Sequence, residues 1–213
     1  MKKYFQYLTT AILLFTAISG ISQNNADDLL KRVIDKTRSH ENIRVDFGYQ
    51  MINEKAGIDE LKKGTLYLKG DAYKLSVESQ IVLSDGKTVW TYLDDSNEVM
   101  VSDAELGEDA MTPSTLLTSY YKEYKASFVN DKANTAKDLK TIELKPTTAK
   151  KFTKIQIGVD EKKIQLVNLA VFDNGGNKFV YDLSKMTTNI VLAQDFFTFK
   201  KADYPGVEVV DMR

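Results

Sequence analysis

The chain contains no cysteine. That absence removes disulfides, thiolate zinc sites and cysteine nucleophiles together, and also the lipid-modified cysteine that anchors a bacterial lipoprotein. Histidine occurs once, at His40, so a multi-histidine metal site is excluded. No charge sign is in excess. Lys and Arg number 29 against 30 Asp and Glu, and a net charge of -1 gives no broad basic surface for nucleic acid or anionic lipid. Long apolar runs are missing as well: the one near the start, Leu8 to Ile18, falls short of the ~20 residues a membrane span needs.

What is present describes an ordinary globular protein, 43% hydrophobic and 28% charged, long enough to be stabilised by packing without covalent staples. The first residues read as a secretory signal peptide. Lys2 and Lys3 form the positive region, the short apolar run follows, and Gly20 and Ser22 are the small residues at -3 and -1 before Gln23. Cleavage near residue 22 leaves 23–213 as one domain, free in its compartment, with no linker dividing it.

Asn25 is placed to cap a helix running to about Ser39, with Leu29, Leu30, Val33 and Ile34 on one face. From Ile43 the period becomes two: Ile43, Val45, Phe47, Tyr49 and Met51 alternate with Arg44, Asp46, Gly48 and Gln50, a half-buried strand. Strand signals recur over Thr65–Lys69, Tyr73–Val77, Ile81–Ser84, Lys87–Tyr92 and Glu98–Ser102, broken by turn residues such as Gly70-Asp71. Thr112-Pro113-Ser114 then opens a second helix with Leu116, Leu117, Tyr120 and Tyr121 on its apolar face. Strands return over Asp138–Leu144, Ile155–Val159, Ile164–Phe172, Lys178–Leu183, Phe196–Phe199 and Val207–Asp211, with Asp173 to Asn177 as a hairpin turn. Ten or eleven strands in consecutive hairpin order predict an α+β, mostly β fold: a largely antiparallel, curved sheet with helices packed on one side.

The chemical candidates are few. Ser84 and Lys87 satisfy an S-x-x-K pattern, but enzymes using it place the serine at a helix start, whereas Asp85-Gly86 between two apolar runs predicts a tight hairpin with Ser84 facing Lys87. His40, at a helix end, suits an interaction with the helix dipole better than acid-base chemistry. The acidic stretches Asp94–Glu98 and Asp103–Asp109 lack the spacing of a calcium loop and read as solvated turns. No catalytic residue, metal or cofactor is expected. What remains is a surplus of aromatic residues, most of them core between sheet and helices, though an incompletely closed sheet can also enclose an apolar pocket.

The order of motifs resembles the periplasmic outer-membrane lipoprotein carriers of the LolA type. The matching pieces are the signal and amphipathic helix, Asp46-Phe47 with Gln50, Gly64 to Lys69, and Ser84-Asp85-Gly86-Lys87-Thr88-Val89-Trp90-Thr91-Tyr92. They continue with Thr112-Pro113 and Leu116-Leu117, Leu144-Lys145-Pro146, Gly175-Gly176-Asn177, Phe196-Phe197-Thr198-Phe199 and Pro205 to Asp211. The resemblance implies an unclosed β-barrel covered by helices, with an apolar cavity that shields acyl chains crossing the aqueous periplasm and no covalent chemistry. It also implies acylated lipoproteins as cargo, an inner-membrane lipoprotein-releasing transporter as donor, an outer-membrane acceptor, and a monomer. Alternation within the strands and the second helix nominates Phe47, Tyr49, Leu66, Leu68, Tyr73, Leu75, Trp90, Tyr92, Leu116 and Leu117 as the lipid-binding lining, a set that a one-residue register error would move to the other face. One departure is visible. Family members carry Arg-Pro after the lysine matching Lys69, the arginine latching a helical lid; Gly70-Asp71 stand here, so the latch is not carried over.

Overall fold

The computed structural model describes residues 26–104, 123–129 and 138–213. The first element is helix α1, Ala26–Arg38, with Asp27 and Asp28 in its first turn and Lys36 and Arg38 in its last, each complementing the helix dipole. Ala26, Leu29, Leu30, Val33 and Ile34 form its buried stripe at helical spacing. The expected cap, Asn25, and the second expected helix, with Leu116 and Leu117, lie outside the described residues.

All described strands belong to one sheet. In chain order they are β1 (Ile43–Asn53), β2 (Ile58–Lys69), β3 (Ala72–Val77), β4 (Gln80–Ser84), β5 (Thr88–Leu93), β6 (Glu98–Asp103), β7 (Tyr124–Val129), β8 (Leu139–Pro146), β9 (Phe152–Asp160), β10 (Gln165–Asp173), β11 (Lys178–Thr188) and β12 (Glu208–Asp211). Their order across the sheet is β12-β6-β5-β4-β3-β2-β1-β11-β10-β9-β8-β7. Two antiparallel meanders, β1–β6 and β7–β11, are joined where β1 pairs β11, and β12 adds in parallel to β6. The sheet is unclosed: β12 and β7 are its two edges and do not pair with each other, so "barrel" describes the chain only loosely.

Sequence and structure differ locally for identifiable reasons. β2 begins at Ile58 rather than Thr65, because Asp59 to Lys63 form the polar arm of a long hairpin with β1 and carry no apolar alternation. Phe196–Phe199 form no strand. They belong to the segment between β11 and β12, which contains a short 3-10 turn at Lys201–Asp203 and presses aromatic rings against the sheet instead of pairing with it. The Asp85-Gly86 turn is wider than a two-residue hairpin: Ser84 pairs Val89, not Lys87. The Asp85 carboxylate accepts hydrogen bonds from the Lys87 and Thr88 amides, and Gly86 takes φ 89°, a conformation that favours glycine. Ser84 is 1% exposed and its hydroxyl accepts from the Gly86 amide.

Two faces follow from the pleat. The face under α1 carries Ile142, Leu144, Ile155, Ile157, Val159, Leu169 and Val171, which pack with the helix stripe into the main core and reach Tyr181 and Leu183 on β11. Each fully buried Leu or Ile side chain there contributes on the order of 1.5–3 kcal/mol. The same face continues across β1, because Phe47 pairs Leu183 and Tyr49 pairs Tyr181. A bulge at Asp46/Phe47 keeps it continuous, with Ser184 as the extra residue donating its hydroxyl to the Asp46 carbonyl at 2.9 Å.

Phe47 rests on Gly64. A Cβ at Gly64 would lie 2.5 Å from the Phe47 Cζ and 2.8 Å from the Ser76 carbonyl oxygen, and the second of these is backbone that cannot swing away. Gly64→Ala should therefore destabilise the fold by about 1–3 kcal/mol through overpacking. Urea denaturation measures this directly; a midpoint equal to that of the parent protein would show that Phe47 and β3 yield freely.

Candidate lipid-binding face

The register from β1 to β6 shows no shift at any pair from β2 outward. Parity alone therefore assigns every side chain to a face. Starting from Phe47, the inner face, shared with α1, carries Val45 and Tyr49 on β1, Leu66 and Leu68 on β2, Tyr73, Leu75 and Val77 on β3, Val82 on β4, and Val89 on β5. This is an apolar strip running away from the helix-covered half of the sheet.

The strip is graded in depth. Ile43, Val45 and Phe47 are buried, and Tyr49, Leu66, Leu75, Val77 and Met186 pack half-buried around them. Leu68 and Tyr73 are buried at its lower end, each about 7% exposed. Of the ten nominated residues, six thus meet on one face: Phe47, Tyr49, Leu66, Leu68, Tyr73 and Leu75. Leu116 and Leu117 lie outside the described residues.

Trp90 and Tyr92 fall on the opposite face. Trp90 pairs Leu83 and Val101, and Tyr92 pairs Ile81 and Val99, none of which shares the parity of Leu75. They are covered from outside by the segment after β11: the Tyr92 ring lies 4.4 Å from Tyr204 and 6.1 Å from Phe199, over a floor of Val99 and Val207. The expectation that they line the same surface as Phe47 is corrected by this parity. The sequence identifies a strand here, but its apolar residues occur on both faces, so alternation alone cannot say which is inward.

Alternation within β11 was the missed signal: Phe179, Tyr181 and Leu183 occupy the inner face beside β1. Tyr49 and Tyr181 lie 5.2 Å apart between ring centroids, and Tyr49 stacks on Phe179 at 6.5 Å. At the rim, Lys62 pairs Tyr49 across the ladder and makes a 3.2 Å ion pair with Glu78.

A cavity of about 560 Å³ opens elsewhere, at the turns between β3 and β4 and between β5 and β6, where the 3-10 segment meets them. Glu78, Asp94, Asp203, Tyr92 and Tyr204 are among its walls. Its carboxylates suit water and cations, so this opening is a poor match for an apolar ligand. Among the described residues no group of acidic or histidine side chains is arranged to hold a metal ion. No helix among them is long and apolar enough to cross a membrane.

Burial, followed by the field of Tyr49, raises the Tyr181 phenol to about 12. The folded state thus retains a proton that the unfolded chain loses near pH 10. The resulting stability is whole below pH 10 and is lost as pH rises through about 12, a loss on the order of 2–3 kcal/mol. Alkaline unfolding should show this slope between pH 10 and 12, and Tyr181→Phe should flatten it; an unchanged slope in the variant would place the cause elsewhere.

Residues 38–200 match the family model described as outer membrane lipoprotein carrier protein LolA. An outer-membrane lipoprotein carrier protein of Coxiella burnetii (strain CbuK_Q154) is 26% identical over 207 residues, covering 93% of each chain. A solved structure of an uncharacterized conserved protein from Thermus thermophilus shares the fold at 13% identity, TM-score 0.56, covering 87% of this chain and 98% of that one. A LolA superfamily protein from Nitrosomonas europaea aligns at 11% identity and TM-score 0.44, over 82% and 98%. With the family model spanning most of the length and the sheet unclosed, this chain belongs to the LolA family of outer membrane lipoprotein carrier proteins.

Proposed function

We propose that the protein is a carrier that receives acylated lipoproteins at an inner-membrane lipoprotein-releasing transporter, holds their acyl chains on the inner face of β1–β6, and delivers them to an outer-membrane acceptor. The signal peptide over residues 1–22 directs it to the periplasm, where it works as a monomer without a cofactor and without making or breaking a covalent bond. The observation carrying this reading is the apolar strip: Tyr49, Leu66, Leu75 and Val77 remain half-buried beside a fully packed core.

The physical requirement is quantitative. Each methylene of an acyl chain moved into water costs roughly 0.8 kcal/mol, so a lipoprotein's several long chains demand a large apolar surface. A surface already half-buried contributes less than a fully exposed one, which moderates affinity and permits release. Phe47, Leu68 and Tyr73 form the floor of the site, and Tyr49, Leu66 and Leu75 make the contacts. Leu116 and Leu117 join the lining through the family resemblance.

A carrier of another lipid is the second reading, favoured by Gly70. That residue takes φ 58° in the two-residue turn between β2 and β3, where family members have the latching arginine.

Both readings are tested by one substitution. Leu75→Glu places a carboxylate on the strip at a site still partly open to water, so the fold should survive while chain binding falls at least tenfold. Native mass spectrometry of the purified protein mixed with acylated lipoprotein should show a soluble complex, and Leu75→Glu should lose it. Absence of a complex with the parent protein, together with a co-purifying lipid, would favour the second reading; absence of both would end the carrier reading.

A further inference from the structure

The apolar strip contains polar groups that packing does not explain. Tyr49 and Tyr181 are directly paired across β1 and β11, with ring centroids 5.2 Å apart and both side chains on the inner face. Their rings pack on Phe47 and Phe179, yet neither phenol oxygen takes part in a hydrogen bond among the described residues. Two tyrosines elsewhere in the sheet do have side-chain partners: Tyr92 donates to Asp94 at 3.0 Å, and Tyr67 accepts from Arg44 at 3.1 Å. Lys62, which faces Tyr49 across the ladder, is held by Glu78. Neither hydroxyl is sealed from solvent, since no fully buried side-chain polar atom among the described residues lacks a partner. Hydrocarbon filling the strip would exclude solvent from them, and a buried hydroxyl left without a partner opposes binding.

We propose that Tyr49 and Tyr181 read the carbonyl groups of the cargo, donating hydrogen bonds to the ester oxygens that join acyl chains to a glyceryl head, so that the site selects ester-linked diacyl amphiphiles over hydrocarbon of equal length. The inference rests on the carrier reading and names the chemical class that this site prefers. The donors suit the task. Burial raises both phenols, so each stays protonated at neutral pH, and a carbonyl oxygen is an acceptor only. The position suits it too, because the pair sits next to the charged rim at Lys62, where the head of an amphiphile would lie with its chains running over Leu66 and Leu75.

The test uses two synthetic lipopeptides of identical sequence. One carries a 2,3-dioctanoyloxypropyl thioether on its N-terminal cysteine and the other the matching dioctyl ether, both titrated calorimetrically below their micellar concentration. The parent protein should bind the ester more tightly, on the order of tenfold per satisfied hydroxyl. Tyr49→Phe and Tyr181→Phe should each weaken ester binding and leave ether binding equal or tighter, with the double variant blind to the difference. Equal affinity of the parent protein for the two lipopeptides would overturn the carbonyl reading and leave the carrier reading standing. An equal loss of both ligands in a phenylalanine variant with native circular dichroism would assign the tyrosines to packing and also overturn it. Failure of both lipopeptides to bind the parent protein would remove the carrier reading and this inference together.

Discussion

The unbroken ladder from β2 to β6 is the constraint on which the rest of the structure depends. With five strands in consecutive antiparallel register and no bulge between them, each side chain's face is fixed relative to Phe47. A one-residue shift between β1 and β2 would send Leu66, Leu75 and Val82 outward and bring Trp90 and Tyr92 in. The one bulge affecting β1 lies on its other side, against β11, where Ser184 fills the extra position through the Asp46 carbonyl. It therefore adjusts how the two meanders join without disturbing the strip.

Coverage of the two faces is complementary. On the inner face α1 seals β7–β11, and 13 helical residues reach no farther than the margin of β1. On the outer face the segment after β11 covers parts of β2–β6, with Phe196 against Tyr67 and with Phe199, Tyr204 and Val207 against Tyr92 and Val99. The N-terminal meander is thus buttressed from outside while its inner face stays only half-covered. That arrangement resolves a conflict common to apolar binding surfaces, since strands with nothing on either side would be unstable, and strands packed on both would have no room for a ligand. The β12 strand adds to it by pairing the edge at β6, which would otherwise be a free template for aggregation.

Much of this was legible in the sequence because it is local. The α1 stripe, the β1 alternation and the turn residues at Gly70, Gly86 and Gly176 each declare themselves within a few positions, and the three glycines take φ of 58°, 89° and 83°. What was not legible is what depends on distant chain. β11 joins β1 from the far half of the sequence, so Tyr181 could not be placed beside Tyr49 from spacing alone. β5 has apolar residues on both faces, so its alternation does not declare an inward side, and the outward Trp90 and Tyr92 are met there by Phe199 and Tyr204. Phe196 to Phe199 carry strong strand propensity, yet the outer face needed rings more than it needed another strand, and packing prevailed over propensity.

The turn at Gly70 shows how local geometry limits which side chains this corner of the sheet can carry. Lys69 pairs Ala72 across it, leaving two residues in the loop, and Gly70 takes the left-handed conformation at little steric cost. An arginine there would meet no neighbour within 4 Å of its Cβ, but its side chain would have to be carried on a backbone that disfavours it, at a cost of about 1 kcal/mol. The neighbouring cation is no substitute, because the Lys69 ammonium is 3.0 Å from the Glu41 carboxylate. A directional, charged latch at this position would therefore need the turn to be rebuilt as well as the side chain changed. Any contact across the strip would then rest on apolar surface, which is non-directional and whose strength scales with the area buried.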